Sequence, residues 1–200
     1  MKQLRFFSMV LVLSFLLGTV ASAEVAHPFP DVPTDAPYAD ALDTLYHYGI
    51  FLGDAAGNFN PDDFISRAEF ATIVCRLLDE EASAGTTNAT GFTDVPSSHW
   101  AAGYIGCAVR LGIVNGNGDG TFAPEDSVTM EQAAKMLVCA WGYGEQAAAA
   151  GGWPDGYLDV AQQLKLLDGV DTPPSSRTSR ATIAVMVFNA INAPLYNQEN

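Results

Sequence analysis

The chain repeats itself. The segment opening Phe29, Asp31, Val32, Pro33 returns as Phe92, Asp94, Val95, Pro96, an offset of 63 that then holds without a gap. Gly49-Ile50 matches Gly112-Ile113, Gly53 matches Gly116, Gly57 matches Gly120, Phe59 matches Phe122 and Pro61 matches Pro124. A third copy is worn. Trp153 lies 53 beyond Trp100, and the same shift carries Ile105 to Leu158, Leu111 to Leu164 and Gly116 to Gly169; the remainder aligns at 113 from the first copy. Such a chain folds as similar units that bury their apolar faces on one another, so the repeat constrains the fold more than any single motif.

The second half of each copy carries apolar residues at relative positions 0, 3, 4, 7 and 8, one stripe of an amphipathic helix. The stripes are Phe70, Ile73, Val74, Leu77, Leu78, then Ala133, Met136, Leu137, Ala140, Trp141, then Ile183, Met186, Val187, Ala190, Ile191. Shorter stripes in the first halves, at Leu42, Leu45, Tyr46, at Ile105, Ala108, Leu111 and at Leu158, Ala161, Leu164, predict a first helix in each copy. The expectation is all-α: six helices in three pairs. Small and polar residues at 81–91 and 142–152 read as linkers. The expected division is a secretion signal over 1–23, then units over 24–85, 86–141 and 142–200.

Each second helix has its start written locally. Ser66 with Glu69 forms a capping box and Ile65 with Phe70 a hydrophobic staple; Thr129 with Gln132 keeps the box, and Ser179 with Thr182 keeps only the cap. The GxFxP loops, Gly57 to Pro61 and Gly120 to Pro124, predict a tight turn with a positive backbone angle, an aromatic plug and a proline that ends the extended piece.

The first residues read as a signal for secretion. Lys2 and Arg5 precede an apolar stretch from Phe6 to Leu17 that is too short for the ~20 residues of a membrane span, and Ala21-Ser22-Ala23 offers a cleavage site. No later stretch predicts a membrane span. Nine Lys+Arg against twenty-three Asp+Glu give −14. So acidic a chain cannot build the basic stripe that nucleic acid requires. The cysteines, Cys75, Cys107 and Cys139, are odd in number and lack metal-ligand spacing, so they read as buried free thiols.

FxDVP, a Trp-bearing first helix, GIxxG, GxFxP and (I/V)(S/T)RAEFA, in that order, resemble the bacterial S-layer homology repeat. The first copy reads FPDVP, GIFLG, GNFNP and ISRAEFA; the second reads FTDVPSSHWA, GIVNG, GTFAP and VTMEQAA. The resemblance implies three helix-loop-helix repeats about a pseudo-threefold axis, the third degenerate. It also implies a noncatalytic role, that of anchoring to the cell wall or surface layer by gripping a secondary cell-wall polysaccharide, often through a pyruvylated sugar, in grooves between repeats.

Arg67 is the first site candidate. It opens a capped helix, where free amides and the dipole favour an anion, and its planar fork suits a carboxylate. Arg180 restores the motif Arg in the third copy, whereas Met130 replaces it in the second. Trp100 and Trp153 are the candidate sugar-stacking faces; Pro37 stands at their position in the first copy, with Tyr38 beside it. A rival reading takes Asn115, Asn117, Asp119 and Asp126 as a calcium loop, with oxygen donors at 1, 3, 5 and 12 and Gly120 at 6. Another gives the acidic surface to partner proteins of the envelope. No catalytic motif appears, and His27, His47 and His99 are scattered, so neither enzyme nor cofactor is expected.

Overall fold

A computed structural model describes residues 28–84 and 90–196. The expected signal over 1–23 and His27 lie outside these residues. Among the described residues eight helices follow one another: α1 (Ala39–His47), α2 (Arg67–Leu77), α3 (Glu81–Ala84), α4 (Ala102–Arg110), α5 (Met130–Ala140), α6 (Gly144–Ala149), α7 (Asp155–Gln163) and α8 (Arg180–Asn192). Extended pairing among the described residues is confined to three isolated bridges, Phe64 with Ser179, Ser66 with Ser127 and Thr129 with Arg177. The fold is all-α.

Two helices were not expected. The stretches read as linkers contain α3 and α6. In the third segment α6 takes the place of FxDVP: the 53-residue shift puts Ala147 where Asp94 stands, and Ala147 is fully buried. An alanine-rich run with one buried face prefers a helix once nothing in it must fold back onto a loop.

Helix starts follow their caps. Ser66 Oγ accepts from Glu69 N while the Glu69 carboxylate accepts from Ser66 N, and Thr129 with Gln132 repeats the exchange. Ser179 Oγ accepts from Thr182 N without the return bond. Ile65 and Phe70, the expected staple, are both fully buried.

The helices of one copy do not pack as a pair. Instead α2 packs on α4, α5 on α7, and α8 on α1, so each second helix meets the first helix of the neighbouring segment. The loops ahead of α2, α5 and α8 join in a closed ring. Arg67 N donates to Asp126 O, Met130 N to Ser176 O and Arg180 N to Asp63 O. A second ring runs in reverse, from Val128 N to Ile65 O, Ile65 N to Thr178 O and Thr178 N to Val128 O. These mutual bonds satisfy amides that helix starts otherwise leave unpaired.

The GxFxP turn is tied down from a distance. Asp31 Oδ1 and Oδ2 accept from Phe59 N and Asn60 N at 2.8 and 2.6 Å; Asp94 does the same for Phe122 N and Ala123 N at 2.9 and 2.7 Å. Gly57 and Gly120 take positive φ as expected. Asn60 and Ala123, the residues before each proline, also have φ of 56°, against the usual extended preference there. Phe59 and Phe122 are fully buried and pack on Phe29 and Phe92 at centroid distances of 5.5 and 5.4 Å.

Cys75 and Cys107 are buried where α2 meets α4, and Cys139 is half-buried. Burial, and then the neighbouring Cys107, push the Cys75 thiol well above its ordinary range. No helix among the described residues is long and apolar enough to cross a membrane.

Candidate functional site

The ring of loops brings residues of all three segments to one groove of about 400 Å3. One wall is the face of α2 that carries Glu69, Thr72, Ile73 and Arg76, spaced 3, 4 and 7 apart and therefore aligned on a helix. The loop 50–54 forms another wall, Trp100 stands at the start of α4, and Arg180 enters from the first turn of α8.

Arg180 is held firmly. Its Nε donates to Phe59 O at 2.7 Å, one terminal nitrogen to Leu52 O at 3.3 Å, and the other lies 3.9 Å from Glu69 Oε1. The guanidinium sits 5.0 Å from the Phe59 ring centroid, with its side chain 15% exposed. Burial pulls its pKa down, while Glu69, Asp63, Asp31 and Asp54 pull it back. A cation so placed is desolvated and directional, which favours an anionic or strongly polar ligand oxygen nearby.

Trp100 is 58% exposed. His99 stacks on it at 5.9 Å and is itself fixed, its Nδ1 accepting from Ala101 N and its Nε2 meeting Glu125 at 3.2 Å. His99 is thus a helix-start residue. Trp153 is also exposed, at 48%, with Lys135 Nζ 5.5 Å from its ring centroid. Neither tryptophan fills the core, a role Trp141 takes.

Arg67 repeats the posture of Arg180 one segment along. Its Nε donates to Phe122 O at 2.8 Å and its guanidinium lies 4.6 Å from the Phe122 ring centroid. Burial lowers its pKa, opposed by Asp126 and Asp94. The structure therefore places Arg180 with Trp100 in the described groove and Arg67 at a different junction. Met130 is buried between segments. Tyr38 packs against the core near Phe59, at 6.4 Å.

The loop weighed for calcium is closed on itself. Asp119 Oδ1 accepts from both Thr121 N and Thr121 Oγ1, and Asn117 donates to Thr121 Oγ1. Asp126 serves the ring through its carbonyl. Among the described residues no three or more His, Cys, Asp or Glu gather to hold a metal.

Sequence reasoning missed Glu69 and Arg76 as groove residues, although their spacing from Phe70 and Ile73 marks them as the polar flank of the stripe. It also missed Lys135, and gave no role to Asp31 and Asp94, whose partners lie 28 and 29 residues away.

Residues 28–71 and 91–134 match the S-layer homology domain. The matched stretches hold the FxDVP, GxFxP and capping motifs of the first two segments. The chain is 35% identical over 170 residues to a cell surface protein of Thermoanaerobacter kivui, covering 84% of this chain and 22% of the relative. It is 34% identical over 172 residues to a surface layer protein of Brevibacillus choshinensis, covering 82% and 15%. An endoglucanase of a Bacillus species is 34% identical over 129 residues, 63% of this chain and 13% of the enzyme. The chain thus spans about a fifth or less of these relatives' length. Two stretches of this chain match the S-layer homology domain, and its similarity to much longer surface proteins supports a part in anchoring at the cell envelope. The matches support the expected cell-wall or surface-layer location.

Proposed function

We propose that this S-layer homology region is a noncatalytic anchor that binds a secondary cell-wall polysaccharide in grooves between its segments. The observation that carries the reading is the groove that places the exposed face of Trp100 and the half-buried fork of Arg180 around one space of sugar-sized volume, about 400 Å3. An indole offers a flat apolar surface to the C–H face of a sugar ring, while the guanidinium pairs with hydroxyl or carboxylate oxygens. A pyruvate ketal, which adds a carboxylate to a sugar, suits that pairing. In this reading three segments, the third degenerate, are arranged about a pseudo-threefold axis, and the closed rings of loop hydrogen bonds support that arrangement.

The test is co-sedimentation of the chain from Glu24 onward, the expected mature form, with purified sacculi before and after removal of the secondary polysaccharide. Binding is expected to disappear on stripping and to fall at least tenfold in Trp100→Ala and Arg180→Ala. Trp100 is exposed, so its variant separates lost binding from lost folding. Equal binding to intact and stripped sacculi, or unchanged binding by Trp100→Ala, refutes the proposal.

A further inference from the structure

Two of the three cysteines face each other across the junction of the first two segments. Cys75 lies on α2 and Cys107 on α4, and both are fully buried where these helices pack. The Cys75 thiol donates to Tyr104 O at 3.4 Å, so its sulfur reaches the backbone of α4 one turn before Cys107, on the face where Cys107 stands. Cys107 is close enough to act on Cys75 both as a neighbouring charge and as a hydrogen-bond partner. Arg110 Nη2 donates to Cys107 Sγ at 3.4 Å. The proposed anchor makes no use of this cluster.

Packing alone does not ask for sulfur here. The shifts that relate the segments carry Cys75 to Val138 and Phe188, and they relate Cys107 to Thr44 and Val160. The equivalent junctions, α5 with α7 and α8 with α1, therefore hold Val138 with Val160 and Phe188 with Thr44 at these positions. Cysteine stands at both positions of one junction and at neither position of the others, as expected of two residues that act together. Cys139 belongs to no such pair: it is half-buried on α5, corresponds to Arg76, and meets Tyr157.

We propose that Cys75 and Cys107 are a disulfide-forming pair that fastens the first segment covalently to the second. The oxidant is a disulfide of low molecular weight. A thiolate of the pair attacks it and expels one small thiolate, leaving a mixed disulfide; the other cysteine thiolate then attacks the protein sulfur and expels the second. The pair loses two protons and two electrons, and the small disulfide takes up both to become two thiols. Exchange takes place as the chain folds, before α2 and α4 close over the sulfurs, since burial keeps the Cys75 thiol protonated afterwards. A place at the cell surface keeps the bond away from the reducing cytosol. Cys75 adjoins Arg76, part of one wall of the groove, and Trp100 stands at the start of the helix that carries Cys107, so the bond fixes one wall against the other.

In the test, the chain from Glu24 onward is unfolded in urea with reductant, then refolded over a range of ratios of oxidised to reduced glutathione. The expected product is a monomer that has lost two hydrogens, carries no glutathione, and on renewed unfolding shows one reactive thiol of its three cysteines, with a peptide map that joins Cys75 to Cys107. The bond closes a loop of about 30 residues, so the oxidised form is expected to melt roughly 6–12 °C above the reduced one. Cys139→Ala is expected to behave like the unsubstituted chain. The double variant Cys75→Val, Cys107→Val, which copies the pairing of Val138 with Val160, is expected to fold and to melt at the same temperature in both buffers. Three free thiols after refolding, glutathione adducts in place of a crosslink, a bond that includes Cys139, or an oxidised form no more stable than the reduced one overturns the proposal. The crosslink is independent of carbohydrate binding, so neither result bears on the other.

Discussion

The aspartate of FxDVP is expected to be the strongest single support of each intact loop. Asp94 holds the amides of Phe122 and Ala123 at 2.9 and 2.7 Å. Asp94→Ala strands both. Phe122 is fully buried, so water does not readily replace the lost acceptor, and an amide–carboxylate bond there is worth about 2 kcal/mol. Ala123 is partly exposed and is rehydrated, so its bond adds about 1 kcal/mol. The sum, about 3 kcal/mol, corresponds to a fall in Tm of roughly 6–12 °C for a domain of this size. Asp94→Asn keeps one acceptor oxygen and is expected to lose about half as much. Asp31→Ala is expected to match Asp94→Ala, since its bonds to Phe59 and Asn60 are as short. The assay is urea and thermal unfolding followed by far-ultraviolet circular dichroism. A loss under 1 kcal/mol for Asp94→Ala, or one no larger than that of Asp94→Asn, refutes the reasoning.

Acid should dismantle the same loops. Asp94 is partly desolvated, which alone raises its pKa, but the Phe122 and Ala123 amides outweigh this and hold it below its ordinary 3.8. A carboxyl depressed in the folded state stabilises fully above its unfolded pKa and loses that contribution as pH falls through the folded value. Stability is therefore expected to be flat near neutrality and to decline below about pH 4, less steeply in Asp94→Asn; a decline beginning near pH 6 contradicts this. Ala123, held at φ 56°, is strained where Asn60 is not, so Ala123→Gly is expected to gain up to about 1 kcal/mol in the same urea assay, and a loss refutes the strain. In a thiol-labelling time course Cys75 and Cys107 are expected to react about 100-fold slower in the folded than in the urea-unfolded chain, and rapid modification of all three cysteines contradicts their burial. With −14 overall, approach to an acidic polymer is expected to quicken as salt shortens the screening length from ~30 to ~8 Å, before high salt weakens the grip; monotonic loss from low salt upward counts against a local cationic contact.

The parts of the fold that the sequence shows plainly are those decided within one turn. The boxes at Ser66 and Thr129 need only a side chain three residues on, and the stripes need only a helical period, so both appear in the structure where the pattern puts them. The parts it conceals depend on partners far along the chain. The pairing of α2 with α4 rather than α1, the carboxylate of Asp31 closing a loop 28 residues later, and the arrival of Arg180 against Phe59 are products of ring closure, which no local window contains. The same limit explains the groove. Arg67 has the better local setting, with a full capping box, and Arg180 the poorer one. Yet it is Arg180 that shares a groove with Trp100, because α8 turns back to the first segment.

The departure of residues 142–196 from the motifs of the first two segments follows from this division between backbone and side chain. Where Asp94 and Phe122 cooperate, the corresponding residues are Ala147 and Thr172, so aspartate and plug are absent together. An aspartate without its loop amides is a buried unpaired charge, and a loop without its aspartate has stranded amides; losing both avoids either cost. The ring survives because Met130 N to Ser176 O, Glu131 N to Pro174 O and Thr178 N to Val128 O are backbone bonds, indifferent to which side chains carry them. Met130 likewise keeps the helix-start bond of Arg67 and Arg180 while bringing no guanidinium to the junction. The fold thus tolerates loss of the motif so long as the loops close, whereas the guanidinium on which the proposed ligand contact depends is absent from the junction where Met130 stands.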